Sequence, residues 1–489
     1  MIDPLALRDL RGSLSGHVAA PGDPLYARTV AIDNGRVALR PALVVLADGI
    51  PDVAATLRFA RATGLPLTVR GGGHSAAGYC LNEGGIVLSL ALMDAAELDL
   101  DAETLRVQMG ATWAHVYGLL LRETSLVPVG GGCLPVGIPG FVLGGGFSFA
   151  SRSFGLSSDN LLELTIVTPD GETRVLSDRT TDPAERELWW ACRGGGGGNF
   201  GVAVEMVLRL HRPATPKMLV ARPRWPVEQA EEVFGFYDEW VETLPPELAV
   251  YGFWGPESDP LSPTTNIPSI GFTIVFNGEF KDGVDLIEPL LRLGPRDVPL
   301  DNYALPQIEE LIGGSTVVGD RSAYMWSGVM PPRAFTSEVI GTFASFFAEA
   351  PSPDSFVVWT HLGGKVAEVA PDATAFPHRG ARFVPELKTI WTDRADTRRN
   401  VEWARDFFDA LAPSFTGAYV NYIDPLLPDW ARRYYGDNLP RLLAAKERWD
   451  PERLFAFQQS VGSPFEPSQD RPLDLSPLNR TFVPQGGPR

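Results

Sequence analysis

Four glycine clusters, at residues 71–73, 130–132, 144–146 and 194–198, punctuate the first half of this chain and constrain it more than any other feature. Glycine lets backbone approach a neighbour more closely than any residue with a Cβ. The usual nucleotide-binding signatures do not account for them. No cluster reads G-x-x-x-x-G-K-[ST], which excludes a P-loop, and none opens a helix as G-x-G-x-x-G, which argues against a Rossmann dinucleotide fold. The run Gly146-Phe147-Ser148-Phe149-Ala150 lacks the second glycine of a nucleophile elbow. Two clusters do end on a nucleophile, as Arg70-Gly71-Gly72-Gly73-His74-Ser75 and as Gly130-Gly131-Gly132-Cys133. A histidine after glycines is most often a turn residue, and a single cysteine is usually a small buried hydrophobe. The two together point instead to a large flat cofactor pressed against backbone at several places.

Composition narrows the classes. At 489 residues the chain is long enough for two domains or more. Apolar residues make up 44%, and no apolar run approaches the roughly 18–20 residues that span a bilayer. The opening MIDPLALRDL does not read as a secretory signal, so the expectation is a cytoplasmic enzyme without a membrane partner. A net charge of −18 and the lack of any Lys/Arg-rich run exclude a nucleic-acid partner. Cys80, Cys133 and Cys192 form neither a disulfide framework nor a C-x-x-C, and the six histidines lack H-E-x-x-H, so no metal site is expected. Cys80 and Cys192 read as buried thiols. The sequence carries no signal for oligomeric state.

Residues 51–63 have helical spacing with Pro51 in the first turn and Gly64 as the stop, followed by a β-prone run at 65–70 that ends in glycines. A second helix is predicted at 111–123 and a strand at 202–210. Beyond His211 glycine thins out. Amphipathic helices are predicted at 227–244, 335–350, 397–411 and 439–448, with β-prone runs at 248–254, 270–277, 355–361 and 383–391. That order, without a strict βαβ rhythm, indicates an α+β fold with a mostly antiparallel second sheet. The change of character after His211 places the expected boundary between a first domain at 1–211 and a second at 212–418, followed by a final segment at 419–489 that carries one more helix and ends in an extended or disordered Pro/Gly tail.

Seven motifs in order carry a family resemblance: RGGGHS at 70–75, GGGCLPVG at 130–137, GLSSDN at 155–160, RGGGGGNFGV at 193–202, DATAFPHR at 372–379, AYVNYID at 418–424 and YYGDN at 434–438. The chain resembles the berberine bridge enzyme-like group of the vanillyl alcohol oxidase superfamily. The bacterial branch of that group includes carbohydrate oxidases and antibiotic-tailoring oxidases. The resemblance implies a PCMH-type, two-subdomain FAD-binding domain and a substrate domain whose antiparallel sheet is flanked by helices. It implies FAD held by two covalent bonds, from His74 to the 8α-methyl carbon and from Cys133 to ring carbon 6. The glycine loops would cradle the cofactor through backbone N–H groups. Cofactor contacts are expected from Arg70, Gly71, Gly72, Gly73, Ser75, Val136, Gly137, Gly140, Gly144, Gly145, Asp159, Gly198, Asn199, Gly201, Val202 and Asn421.

Tyr422 matches the family tyrosine that takes the substrate hydroxyl proton. An ordinary phenol titrates near 10, so a base at neutral pH needs a nearby cation, hydrogen-bond donors or the flavin itself to lower it. Valine at position 136 resembles the oxygen-using members, which favours an oxidase over a dehydrogenase. Tyr419, Trp359, His361, His378 and Arg379 are candidates for the substrate face. The implied reaction is a two-electron oxidation of a CH–OH or CH–NH carbon, with dioxygen as acceptor and hydrogen peroxide as product. An Arg/Ala/Pro-rich composition suggests a high-GC bacterium and a tailoring step in secondary metabolism. A carbohydrate oxidase of the same mechanism is the alternative, and a flavin-carrying protein without turnover a more distant one.

Overall fold

Residues 2–259, 262–308, 319–470 and 472–479 are described by a computed structural model of the chain, so the end of the expected C-terminal tail, 480–489, lies outside the described residues. Three sheets organise them. The first contains β1 (His17–Ala19), β2 (Leu43–Leu46), β3 (Leu67–Arg70) and β4 (Ile86–Ser89), in the order β1-β2-β4-β3. β2 and β3 both run parallel to β4. Parallel neighbours need a crossover, and the helix Ile50–Thr63 supplies it between β2 and β3. Gly64, at φ 66°, ends that helix in the left-handed conformation the sequence anticipates.

The second sheet is antiparallel. It comprises β5 (Ala96–Asp99), β6 (Thr104–Gln108), β7 (Leu161–Val167), β8 (Thr173–Ser177) and β9 (Val202–Arg209), in the order β5-β6-β9-β7-β8. The helix Trp113–Glu123 follows β6 and buries Trp113, Val116, Tyr117 and Leu120.

From Met218 onward the strands join a third sheet, eight-stranded among the described residues. Its strands are β10 (Met218–Ala221), β11 (Arg224–Pro226), β12 (Leu248–Asp259), β13 (Ser262–Phe276), β14 (Leu300–Tyr303), β15 (Ser322–Ser327), β16 (Phe356–His361) and β17 (Phe383–Trp391). The order is β14-β10-β13-β12-β16-β17-β15, with β11 beside β13, and every pairing is antiparallel. The α+β expectation is met. Helices Ala230–Trp240, Ser337–Ala348 and Thr397–Leu411 pack against the sheet through an aromatic core. In it Trp359 lies 5.1 Å from Phe234 and 4.9 Å from Phe335, ring centre to ring centre. The opposite face of the sheet roofs a cavity.

One core runs through all three segments, and buried polar side chains tie them together at several places. Arg36 donates to Ala323 O at 3.1 Å, and Asn34 exchanges two bonds with the Ala323 backbone, which ties the N-terminal region to β15. At the far end, Lys446 Nζ reaches Asn199 O at 2.6 Å, and Phe455 pairs with Leu67 of β3.

Candidate active site

A cavity of about 760 Å³ lies between the glycine loops and the third sheet. That is within the range of small-molecule and cofactor sites. Its floor is backbone: residues 71–73, 131–132, 137, 140, 196–198 and 201 are all glycines that line it. His74 stands where β3 runs out into the first loop. Cys133 stands on the loop after the helix Trp113–Glu123, in a turn closed by Val136 N donating to Cys133 O at 3.0 Å. Both line the cavity, and Cys133 Sγ lies 3.3 Å from His74 Nε2. The two nucleophiles thus converge from sequence positions 59 residues apart.

The glycines there do two different jobs. A Cβ on Gly72 would stand 2.4 Å from Gly137 N, and one on Gly137 would stand 2.3 Å from Gly72 N. These two loops press backbone on backbone, and that contact sets the His74–Cys133 spacing. By contrast, a Cβ on Gly140 would meet nothing within 4 Å. Gly197 and Gly198 are nearly as open, with nearest atoms at 3.8 and 3.7 Å. Those three glycines leave space for a ligand.

Tyr422 enters from the final segment. Its ring stands edge-on to Phe147 at 5.9 Å and to Tyr419 at 5.1 Å, and it lines the cavity. Opposite it β17 contributes Glu386 and Lys388, 3.6 Å apart and each less than a tenth exposed. Glu386 shares a hydrogen bond with Tyr422. Burial raises the Tyr422 phenol well above its ordinary value, and the Glu386 carboxylate raises it further. A tyrosine acting as the base by itself needs an influence that lowers its phenol. The protein side supplies one that raises it, so Tyr422 is a phenol and not a phenolate at neutral pH.

Ser75, Val136, Asn199 and Asn421 also line the cavity. Asn199 organises the fourth glycine loop, its amide donating to Gly195 O at 3.1 Å while its oxygen accepts from Val461 N at 2.9 Å. Asn421 donates to Phe141 O at 2.9 Å, and its side chain fills the space a Cβ on Gly144 would need.

Several expected residues lie elsewhere. Arg70 folds back onto its own loop and donates to Gly71 O and Ala31 O. Asp159 makes a two-pronged pair with Arg379, both contacts at 2.7 Å, and accepts from Leu156 N; it is a cap and an ion-pair partner. Gly144, Gly145 and Val202 do not line the cavity. Tyr419 is buried, accepting from Gly146 N at 2.9 Å. The substrate-face assignment of Trp359, His361 and His378 is corrected. Strand alternation turns Phe356 and Val358 of β16 into the cavity and therefore Trp359 and His361 away from it. His361 meets Arg152 Nη1 at 3.1 Å on the far side, and His378 bonds Tyr434 O at 3.0 Å. Cys192 is buried as expected, its thiol pushed up to about 12 by burial, but Cys80 is half-buried and lines the cavity.

Residues that sequence reasoning missed include Glu386, Lys388, Asp33, Tyr251 and Gln459. Gln459 is 1% exposed, lines the cavity, and its Oε1 has no hydrogen-bond partner among the described residues. A buried polar atom of this kind marks a place where a ligand completes the bonding. Open glycines, an orphaned amide oxygen and converging nucleophiles together fit a large, polar, ring-bearing cofactor.

Comparison with known proteins agrees from both ends of the chain. A family described as "FAD binding domain" matches residues 41–177, and one described as "Berberine and berberine like" matches residues 418–462. The FAD-linked oxidoreductase YgaK of Bacillus subtilis is 29% identical over 92% of this chain and 97% of its own length. The chain belongs to the berberine bridge enzyme-like FAD-linked oxidoreductases. Berberine bridge enzyme-like C-2 of Nicotiana tabacum is 26% identical, covering 86% of this chain and 85% of that one. In fold, wild-type BBE-like 1 of Physcomitrella patens matches with a TM-score of 0.84 at 22% identity, over 93% of this chain and 98% of that one. Berberine bridge enzyme from Eschscholzia californica matches at 0.80 and 22% identity, over 94% and 99%. The PCMH-type flavoprotein fold follows, and FAD is the cofactor of this family member. Among the described residues no helix is long and apolar enough to cross a membrane.

Proposed function

We propose that this oxidoreductase is an oxidase that carries FAD on two covalent bonds, one to His74 and one to Cys133. Residues 1–211 and 419–489 hold the cofactor, and 212–418 faces the substrate. The observation that carries the reading is the 3.3 Å approach of Cys133 Sγ to His74 Nε2 on the wall of a cavity that also holds Tyr422. When bound, FAD supplies the acceptor for a hydride and passes the electron pair to dioxygen.

The chain's own residues supply position and proton transfer. The glycine floor would hold the cofactor through its backbone, and the aromatic roof of Phe149, Tyr251, Phe253 and Phe356 would shield it from water. Tyr422 accepts the proton of a substrate CH–OH or CH–NH group while its own proton passes to Glu386 along their shared hydrogen bond. That relay removes the need for a lowered phenol, because the carboxylate is the final acceptor. Base catalysis of this kind contributes typically 10²–10⁴-fold. Val136 lines the cavity within the Cys133 turn and favours dioxygen as the acceptor.

The substrate we favour is a bulky secondary metabolite, because two covalent anchors would retain the cofactor without further contacts and leave the space beneath the third sheet to the substrate. A carbohydrate is the second reading. Polar pairs at the cavity wall, Arg224–Glu257 at 3.1 Å and Arg321–Asp354 at 3.0 Å, favour an oxygen-rich molecule of either kind. A related fold at 20% identity is a Phl p 4 variant described as a glucose oxidase.

Acid precipitation of the purified enzyme tests the attachment. The yellow colour is expected to stay with the pellet, and also in His74→Ala and Cys133→Ala singly. Loss of all covalent flavin in either single variant contradicts two independent bonds. Peroxide release on a panel of sugars and polycyclic alcohols then separates the two substrate readings.

A further inference from the structure

Asp33 belongs to none of the sequence motifs, yet its Oδ2 lies 3.2 Å from His74 Nε2. The carboxylate is not loosely placed. Gly319 N donates to its other oxygen at 2.6 Å. The next residues fasten the segment to β15: Asn34 Oδ1 accepts from Ala323 N at 3.0 Å, and Arg36 Nε donates to Ala323 O at 3.1 Å. Both side chains of the pair are mostly shielded, 18% exposed for His74 and 12% for Asp33. Cys133 Sγ approaches the same ring nitrogen, so the three groups are not a relay through opposite edges of the imidazole.

A neutral imidazole has one N–H and one lone pair, and the partner of one nitrogen decides the state of the other. A carboxylate can only accept, so Asp33 favours the tautomer with its hydrogen on Nε2, against the ring's bond to its own backbone, and in that tautomer Nδ1 carries the lone pair. We propose that Asp33 is the positioning residue for covalent attachment at His74: it selects Nδ1 as the nucleophile and takes up the Nε2 proton as the carbon–nitrogen bond forms. The proposal rests on the reading of His74 as an attachment residue. In the balanced step a C8α–H bond breaks and an Nδ1–C8α bond forms. One proton leaves C8α and one leaves Nε2, the latter to Asp33. The two electrons pass through the ring system to dioxygen, which with two protons becomes hydrogen peroxide. Bond formation at Nδ1 places positive charge on a shielded ring, and an adjacent carboxylate offsets that charge. In the free side chain burial disfavours a charged His74 and Asp33 opposes it.

Intact mass under denaturing conditions, with peptide mapping of the enzyme as purified, provides the test. Cys133→Ala is expected to carry covalent flavin through His74. In Cys133→Ala/Asp33→Ala that covalent fraction is expected to fall at least ten-fold, while acid releases FAD that the native protein had bound. Asp33→Ala alone should carry flavin on the Cys133 peptide with the His74 peptide free, which also shows that the variant folds. Asp33→Asn keeps an acceptor oxygen without the charge and should fall between wild type and alanine. If the double variant matches Cys133→Ala, or if Asp33→Ala still links both peptides, the proposal is overturned. Should Asp33→Ala not accumulate, a wild-type level of histidyl linkage in Asp33→Asn overturns it equally. A Cys133→Ala protein without covalent flavin instead removes the attachment reading itself, and the proposal with it.

Discussion

Tyr422 and Glu386 share one hydrogen bond, and its direction decides how a buried phenol can act. Tyr422→Phe removes only the hydroxyl. It should lower kcat by about 10²–10⁴-fold while the flavin content is unchanged. Glu386→Gln should cost a similar factor, because the amide cannot take the proton. The double variant should be scarcely worse than either single one, since residues acting as a unit are not additive. Steady-state rates that multiply instead would separate the two residues and remove the relay. Residue-level legibility divides along the same line. His74, Cys133 and Tyr422 stand inside motifs and are nameable from sequence. Glu386 and Lys388 carry a signal too: two charges at alternate positions of the β-prone run 383–391 share one strand face, and every residue of that run is buried. Asp33 carries none, because its meaning depends on a fold that brings it to His74. Trp359 reads as a ligand platform only until strand alternation beside Val358 is applied, which turns it to the core.

At the scale of elements, glycine clustering was legible but its cause was only half legible. The sequence suggests that a cofactor demands the glycines, whereas Gly72 and Gly137 are required by each other. Gly137→Ala must therefore push the two loops apart, at a cost of roughly 1–3 kcal/mol. The same variant should lower the fraction of protein linked through both His74 and Cys133, read by denaturant midpoint and intact mass. Gly140→Ala, facing open space, should leave the midpoint almost unchanged in a His74→Ala/Cys133→Ala background from which FAD can be removed. Two histidines in loops give a pH dependence. Burial lowers both His211 and His378 to about 4, with Arg209 adding to the effect at His211. An unfolded histidine takes up its proton near 6.5. Below that pH the unfolded chain binds protons that the folded one refuses until about 4. Their contribution to stability is therefore complete above about pH 6.5 and is lost as pH falls towards 4. Thermal melts should show the fall, and His378→Gln should flatten it; an unchanged slope in that variant would assign the acid sensitivity elsewhere.

The last segment folds back onto the first domain at several places, and Lys446 is the fully buried cation among those links. Its ammonium is fully buried and donates to Asp450 Oδ2 at 2.6 Å, Asn199 O at 2.6 Å and Phe455 O at 2.7 Å. Asp450 in turn accepts from Leu454 N and Phe455 N. One side chain thus ties the helix Leu439–Trp449 to the fourth glycine loop, whose amide anchor Asn199 is also held by Val461 N. Helical spacing at 439–448 was readable in the sequence, but Asn199 lies 247 residues from Lys446 and the link between them was not. Lys446→Met strips the cation from a buried carboxylate and leaves two carbonyls without their donor. Breaking a buried pair from one side costs about 3–5 kcal/mol. Adding Asp450→Asn removes the stranded charge, so the double variant should be more stable than Lys446→Met alone. The loop at residues 194–198 should become the first site of proteolytic nicking in Lys446→Met and recover partially in the double variant. Equal denaturant midpoints for Lys446→Met and wild type would show that the final segment is held by its apolar contacts, with Phe455 and Val461 as the anchors instead.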